Sequence, residues 1–560
     1  MGKFGLMAGA AAIALFAASG TQAAIAKNDG AQSTDAGATT VADQPAGEIH
    51  LAQATMPSSG SAASGDLESR VRALEDTLQA NSDRATADRT RLSTLEQNAN
   101  YASWTFDNGR PVIATGDGRF TMGLRLRFQS DFAAFDQDRT HPAGFNGPTD
   151  LSTGMVIRRA YFGVEGKAFS DFAYELRLNA GGSDGGSFGA SGVPNAGEGD
   201  PLLNKAVVTY TGIPYWHFNV GVLEPAFMFE GTTSSASLMF LERPEIDNIA
   251  ADTFGAGDTR RGIEIGWARS DTLWAGDNLT ATVAFTGGKT GSAQNHGAGG
   301  GDENTQILGR ATERLWTNGL SNIQFGVSAA RVLSSGSNGN PDGGSQTLNL
   351  RDRPQVRVDG TRLIATGGIN AKTADMYALD LGGNIDNVFL GGEYAHFEVD
   401  RQCNTIIAGN NAACTSSTAV IDHPSFSGWY VEGSWILTGE TKPYSPSAIN
   451  NEVGGFNMPV PSRPFSFSGD SWGAFELVAR YSNTDLNWHT SQAASLSQLA
   501  GVFGGEERVV ALGLNWYLNR NVRVMIDDNI IQVRGGTGVA TPHTHDQDIN
   551  VLGVRLQFAN

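Results

Sequence analysis

Two arginines, Arg125 and Arg127, occupy alternate positions in the segment Phe120–Gln129. A β-strand here would place both on its polar face, while its other face would be wholly apolar. A guanidinium keeps its charge at any accessible pH, and its planar donors can bind a phosphate or carboxylate in a bidentate manner. This pattern suits a strand of a membrane pore, with lipid on one side and water with dissolved anions on the other.

Two further arginines fall in alternating segments, Arg177 in Phe172–Asn179 and Arg480 in Gly473–Ser482. All four arginines are candidates for pore lining. An ion pair with an inward carboxylate is an equally good explanation for each of them, and four glutamates are the obvious partners: Glu165, Glu175, Glu264 and Glu476.

The same alternation recurs to the end of the chain, where Val551–Phe558 again separates apolar from polar positions. We predict an all-β fold, a transmembrane antiparallel β-barrel that occupies residues 101–560. About sixteen strands fit this length and eighteen would also fit, at roughly ten residues per membrane crossing. Tight turns such as Asn519–Asn521 predict the periplasmic end. Long polar connections predict external loops, and they span residues 181–200, 287–303, 334–346 and 403–424.

The N-terminus carries the signature of export. Lys3 precedes an apolar stretch from Phe4 to Ala18, and small residues follow it. This predicts a signal peptide over residues 1–26, cleaved between Ala23 and Ala26, rather than a retained membrane anchor. Residues 27–65 are rich in Ala, Ser, Thr and Gly without periodicity, which predicts a flexible linker.

Residues 66–100 have a different period. Leucines and a valine keep one heptad register, with Asn81 and Asp88 also on the seam. The narrow seam favours a short coiled coil that joins protomers, with Asn81 setting its register. The alternative is a single amphipathic helix lying on its own barrel.

Composition excludes several classes of function. The net charge of −19 argues against a nucleic-acid partner. No grouping of Ser, His and acidic residues suggests an enzyme, and no cofactor or metal site is expected, since His543 and His545 are best explained as solvated loop residues. Cys403 and Cys414 are close in an exported chain and predict a disulfide rather than a metal site.

Several motifs in order resemble the phosphate-selective porin O and P family of Gram-negative outer membranes. The first lies in Ile157–Gly166 with its paired arginines; the next are Ser234–Ser235, Met239–Arg243 and Arg260–Ile263. Three more follow in the family's order: Leu437–Glu440, Gly473–Ser482 and Gly513–Asn519. The resemblance implies a sixteen-stranded barrel in the outer membrane, a homotrimer, a loop folded into the pore, and diffusive uptake of anions.

The resemblance also implies an anion site. Residue by residue, the family's site maps onto six positions: Arg158, Arg159, Tyr161, Ser234, Ser235 and Arg243. Adjacent strand residues face opposite ways, so Arg158 and Arg159 can both line the pore only at a bulge or near a strand end. Phosphate-specific members carry a lysine shortly before the serine pair, whereas this chain has Phe229–Thr233 there, including Glu230.

We therefore expect a porin for small hydrophilic solutes with modest anion preference and weak phosphate discrimination. Expected partners are a homotrimer, membrane lipid with lipopolysaccharide, small anions, and peptidoglycan through the coiled coil. Two alternatives remain open, a structural anchor whose coiled coil contacts the cell wall and a porin for neutral solutes such as sugars.

Overall fold

The computed structural model describes residues 63–100, 102–107, 109–137, 150–182, 203–257, 259–289, 303–336, 347–353, 355–402, 420, 422–445, 454–490, 501–535 and 546–560. Side chains of the N-terminal helix are described for residues 67–94. The predicted signal peptide, most of the linker and the predicted disulfide Cys403–Cys414 lie outside the described residues.

The strands of the first half are β1 Ala102–Asp107, β2 Arg110–Thr115, β3 Thr121–Gln137, β4 Gly154–Ala168, β5 Phe172–Asn179, β6 Leu203–Tyr210, β7 Trp216–Leu223, β8 Arg260–Ser270, β9 Asn278–Lys289, β10 Asn304–Asn318 and β11 Ser321–Ser335. Those of the second half are β12 Thr347–Leu348, β13 Arg351–Asp352, β14 Ile364–Ala365, β15 Ile369–Ile385, β16 Val388–Arg401, β17 Ser425–Ile436, β18 Tyr444–Ser445, β19 Gly455–Phe456, β20 Ala474–Trp488, β21 Val502–Tyr517, β22 Val522–Arg534 and β23 Gln547–Ala559. The helices are α1 Ala63–Asn100, α2 Phe229–Thr232 and α3 Glu245–Ile249, with a π-helical turn at Ala250–Phe254.

The long strands form a closed antiparallel barrel. Neighbours in the chain pair from β3 to β11, then through β15, β16, β17 and β20 to β23, and β23 pairs with β3, for example Phe558 with Phe128. Counting the strands of this ring gives sixteen, which confirms the predicted fold class and excludes eighteen. The β1–β2 hairpin extends the sheet beside β3.

Alternation decides which side chains face outwards. In β3, Phe128 and Phe132 are 40% and 38% exposed, whereas Gln129 and Asp131 are fully buried. In β23, Leu552 and Leu556 are exposed and Arg555 is buried. An apolar outer face and a polar inner face are what a membrane barrel requires.

Helix α1 precedes the barrel strands in the chain. Its apolar seam is open to solvent in the single chain, with Leu67, Leu74 and Leu78 each more than half exposed. No helix among the described residues is both long and apolar enough to cross a membrane.

Three connections fold against the inner wall of the barrel. The connection between β7 and β8 carries α2, α3 and the π-helical turn, and we call its residues 224–259 the constriction segment. Buried Phe229 of this segment lies 6.1 Å from the rings of both Phe389 and Phe456. Phe456 belongs to the β17–β20 connection, and Val356 of the β11–β15 connection is also buried. The structure thus contains the expected inward loop and two further segments beside it.

Candidate anion site in the pore

The main chain of the constriction segment is held by inward side chains of the last strands. Arg523 donates to the carbonyl oxygen of Leu238 (2.9 Å), and Arg555 donates to that of Leu241 (2.6 Å). The amide of Leu241 donates to Asp527 (2.6 Å). These strand side chains replace water as partners of the segment's backbone, which fixes Glu242 and Arg243 in the lumen.

A β-bulge brings Arg158 and Arg159 to the same side of the wall. Arg159 pairs with Gln129 and Ile157 pairs with Ser130, so Arg158 is the extra residue of β4. Both arginines are 5% exposed. The sequence required a bulge or a strand end for two inward arginines, and the structure has the bulge.

Glu242 occupies part of the cluster of arginines. Its carboxylate lies 2.6 Å from Arg158 Nε and 3.2 Å from Arg555 Nη2, and 3.6 Å from Arg357 Nε. Arg555 is also paired with Asp131, with its Nε 2.6 Å from Oδ1. Burial alone would raise the pKa of Glu242, but Arg158, and after it Arg357 and Arg159, hold that pKa well below its usual range. Glu242 therefore stays charged and neutralises part of the guanidinium cluster.

Arg127 and Arg159 face the cavity with neutral partners. Arg127 donates to Ser235 Oγ (2.5 Å) and Ser234 Oγ (3.0 Å), and Arg159 donates to the side-chain oxygen of Gln129 (2.9 Å). Tyr161 lies beside them, with the Arg127 guanidinium 5.4 Å from its ring centre. Three residues named by the resemblance, Tyr161, Ser234 and Ser235, thus meet around Arg127, which the resemblance had not named.

Arg243 has main-chain partners. It donates to the carbonyl oxygens of Glu230 (2.6 Å) and Thr233 (2.7 Å), both in its own segment. Across the part of the chain that the structure describes, Arg127, Arg159 and Arg243 form no ion pair with a carboxylate. Three guanidiniums therefore keep their charge unbalanced by a direct partner.

Other predicted arginines form ion pairs. Arg125 Nη1 lies 2.6 Å from Glu165, and Arg177 Nη2 lies 2.5 Å from Glu224. Both still line the cavity. For these two residues, the ion pair and the pore-lining position occur together.

Arg480 is placed differently. Its Nη2 lies 2.7 Å from Glu432 on the adjacent strand and 3.8 Å from Glu230, and its side chain is buried. Neither Arg480 nor Glu230 is among the residues that line the cavity. We conclude that Arg480 belongs to the contact between the constriction segment and the wall, and that Glu230 is drawn to this contact rather than to the pore.

The sequence analysis missed two cations of the cavity, Lys205 and Arg357. A second bulge, between β5 and β6, makes Asn204 the extra residue and leaves both Asn204 and Lys205 buried. Lys205 Nζ lies 3.0 Å from Glu175. In the sequence, the consecutive polar residues Asn204 and Lys205 interrupt the alternation of β6 and could have indicated the bulge. Arg357 lies in a connection between strands, where no alternation could indicate its position.

Cations outnumber acids around the cavity. Its lining includes eight cationic side chains, which are Arg125, Arg127, Arg158, Arg159, Arg177, Lys205, Arg243 and Arg357. It includes five acidic ones, which are Glu175, Glu224, Glu242, Asp247 and Asp252. The local charge is therefore positive although the whole chain carries −19.

A match to a known family covers the barrel strands. The model of the family "Phosphate-selective porin O and P" matches residues 120–559. The chain belongs to this family. Porin O of Pseudomonas aeruginosa is 23% identical over 466 residues, covering 80% of this chain and 90% of its own. A Caulobacter vibrioides protein is 25% identical over 459 residues, covering 80% and 76%.

Among solved structures, the anion-selective porin from Comamonas acidovorans is similar at 12% identity, with a TM-score of 0.37, covering 78% of this chain and 100% of that one. Family membership and the closed barrel make this protein a porin of the Gram-negative outer membrane, a channel rather than an enzyme.

Proposed function

We propose that this porin conducts small anions in preference to cations, through a constriction lined by arginine. The observation that carries the proposal is the group of three guanidiniums, Arg127, Arg159 and Arg243, without a carboxylate partner among the described residues. A permeating anion can replace part of its hydration shell with their N–H donors. The serine hydroxyls beside Arg127 add further polar groups.

Local charge governs selectivity because a charge in the constriction acts over a few ångströms. A charge farther from the permeating ion than the Debye length, about 8 Å at physiological ionic strength, is largely screened. The overall charge of −19 is therefore compatible with an anion-preferring pore.

We propose that phosphate is discriminated only weakly. The Glu242 carboxylate already forms an ion pair with Arg158. One arginine of the Arg158–Arg159 pair is therefore less available to a doubly charged anion. Phosphate-specific members of the family carry a lysine shortly before the serine pair. The corresponding segment of this chain, Phe229–Thr233, contains no lysine. Lys205, which sits elsewhere on the wall, is paired with Glu175.

Reversal potentials in planar bilayers under a salt gradient test the proposal. The unmodified porin should be modestly anion-selective, and the double variant Arg127→Ala, Arg159→Ala should shift towards cation selectivity. Arg508→Ala is the matched control, because it removes an exposed guanidinium paired with Glu506 on the outer face. Cation selectivity of the unmodified porin would overturn the arginine assignment while leaving the barrel intact.

We propose further that residues 1–26 are a signal peptide and that three copies of the 66–100 segment form a coiled coil in a homotrimer. The linker predicted for residues 27–65 is proposed to end at residue 62, because α1 begins at Ala63. The exposed seam of α1 supports the coiled coil, since Leu67, Leu74 and Leu78 have no apolar cover in one chain. We also propose that the outer face of the barrel contacts lipid and lipopolysaccharide and that the coiled coil contacts peptidoglycan.

A further inference from the structure

Three side chains with metal-ligand atoms meet on the outer face of the barrel, away from the pore. Glu398 and Asp400 lie near the end of β16, and His423 lies two residues before β17. His423 Nδ1 is 2.9 Å from Asp400 Oδ1 and 3.6 Å from Glu398 Oε1. One ligand atom from each residue lies within 4.8 Å of those of the other two. We call these three residues the rim trio.

The fold itself brings the rim trio together. Residues 398 and 400 share one face of β16, the face on which Leu390 and Tyr394 are exposed. Arg401 and Asp422 form an isolated antiparallel bridge and an ion pair between their side chains. This bridge fixes the chain just before His423 and sets the imidazole beside Asp400.

The neighbours of Asp400 leave one oxygen directed at His423. Thr373 donates its hydroxyl to Asp400 Oδ2, and Arg331 Nη2 lies 3.7 Å from the same oxygen. Asp400 Oδ1 is the atom that faces the imidazole. A hydrogen bond to one carboxylate oxygen, here Oδ2, orients the other oxygen as a ligand, an arrangement common around bound metals.

The surroundings carry an excess of negative charge. Asp375 is the cross-strand partner of Glu398, so three carboxylates lie together on this face. Arg331 Nη1 lies 2.8 Å from Asp375 Oδ2. Among the described residues, Arg331 is the arginine that forms ion pairs with these carboxylates. One guanidinium against three carboxylates leaves charge for a cation to balance.

We propose that Glu398, Asp400 and His423 bind one divalent transition-metal ion of the zinc class, at the end of the barrel that carries the long connections. An imidazole nitrogen with two carboxylate oxygens suits Zn²⁺, whereas Ca²⁺ and Mg²⁺ prefer oxygen ligands alone. Three protein ligands leave a position for water or an external anion. The bound ion links β16 to the start of β17 from outside.

Calorimetric titration of untagged, detergent-solubilised porin with Zn²⁺ tests the site, in a His543→Ala, His545→Ala background that removes the other closely spaced histidines. The expected result is one Zn²⁺ per chain, bound at least about tenfold more weakly after His423→Ala or Glu398→Gln. His396→Ala is the matched control, since His396 lies on the same strand face outside the trio and its loss should leave affinity unchanged.

Heat-dependent migration on gels establishes that each variant is folded. Absence of stoichiometric Zn²⁺ binding in the background protein would overturn the proposal. Equal affinity of the His423→Ala and His396→Ala variants would overturn it too. Titration with Ca²⁺ in place of Zn²⁺ should give no comparable binding, and tighter Ca²⁺ than Zn²⁺ binding would contradict the assigned metal class.

Discussion

Arg158 and Glu242 form a buried ion pair, with Nε 2.6 Å from Oε1, that joins a bulge of the barrel wall to the segment inside the pore. The pair has two consequences. It anchors the constriction segment, and it places a permanent carboxylate among the arginines that attract anions. The two roles make separate predictions.

Removing the charge of Glu242 should increase anion preference. Glu242→Gln keeps the shape of the side chain but leaves Arg158 without its carboxylate, so reversal potentials should move towards stronger anion selectivity. Breaking a buried ion pair costs about 3–5 kcal/mol, so the temperature of heat-dependent unfolding should fall. Glu230→Gln is the control, since that buried carboxylate lies outside the cavity lining; an equal shift in both variants would contradict the role of Glu242.

The two adjacent arginines should differ in their effect on permeation. Arg159→Ala removes a guanidinium that donates to the neutral side chain of Gln129, whereas Arg158→Ala also removes the cation nearest to the Glu242 carboxylate. Both should reduce anion selectivity. Arg158→Ala should reduce barrel stability more, because it removes the nearest of the three guanidiniums around the buried Glu242 carboxylate. Reversal potentials and unfolding temperatures of the two variants, measured side by side, test this; greater stability loss in Arg159→Ala would refute it.

Anion selectivity should increase as pH falls from about 8 to 6. Burial raises the pKa of Asp247 to about 7, against the opposing effect of Arg243. Below that value, the carboxyl is neutral and the cavity loses one negative charge. Asp247→Asn should show high anion selectivity at both pH values. An unmodified porin whose selectivity does not change across this range would rule out this titration.

The same shift has a consequence for stability. A carboxyl whose folded pKa is raised opposes folding above its unfolded pKa, because folding must keep a buried charge. Asp247→Asn should therefore stabilise the barrel at pH 8 more than at pH 5, as measured by the unfolding temperature.

Assembly should depend on the seam of α1. Leu74→Asp with Leu78→Asp places charges in the predicted interface and should convert an SDS-resistant oligomer to monomers on unheated gels. Arg72→Asp, which adds a negative charge on the charged outside of the helix, is the control and should leave the oligomer intact. Barrel conductance per monomer should persist. If the unmodified porin already migrates as a monomer after gentle extraction, the trimer proposal is wrong.

Cys403 and Cys414 stay a predicted disulfide. Unreduced porin should resist thiol labelling, and reduction should expose two thiols per chain. A Cys403→Ser, Cys414→Ser variant is the control for reagent reacting elsewhere. Labelling of both cysteines in the unreduced, exported protein would contradict the prediction.

The sequence by itself determined the class of fold and much of the polarity of the pore. Alternation of apolar and polar residues has a period of two, and that period is local, so it identified Arg125, Arg127 and Arg177 as facing away from lipid. The ordered motifs identified the family. Chain length and membrane thickness left sixteen and eighteen strands open, and the family resemblance implied sixteen, which the structure confirms.

The tertiary structure decided which carboxylate meets each arginine. Glu242 reaches Arg158 across 84 residues, and neither was an evident partner of the other in the sequence. Bulges at Arg158 and Asn204 turn consecutive residues inward, which a strict period of two cannot express. Arg480 obeys the alternation yet lies behind the constriction segment rather than in the pore, because the packing of that segment against the wall fixes what each inward side chain meets.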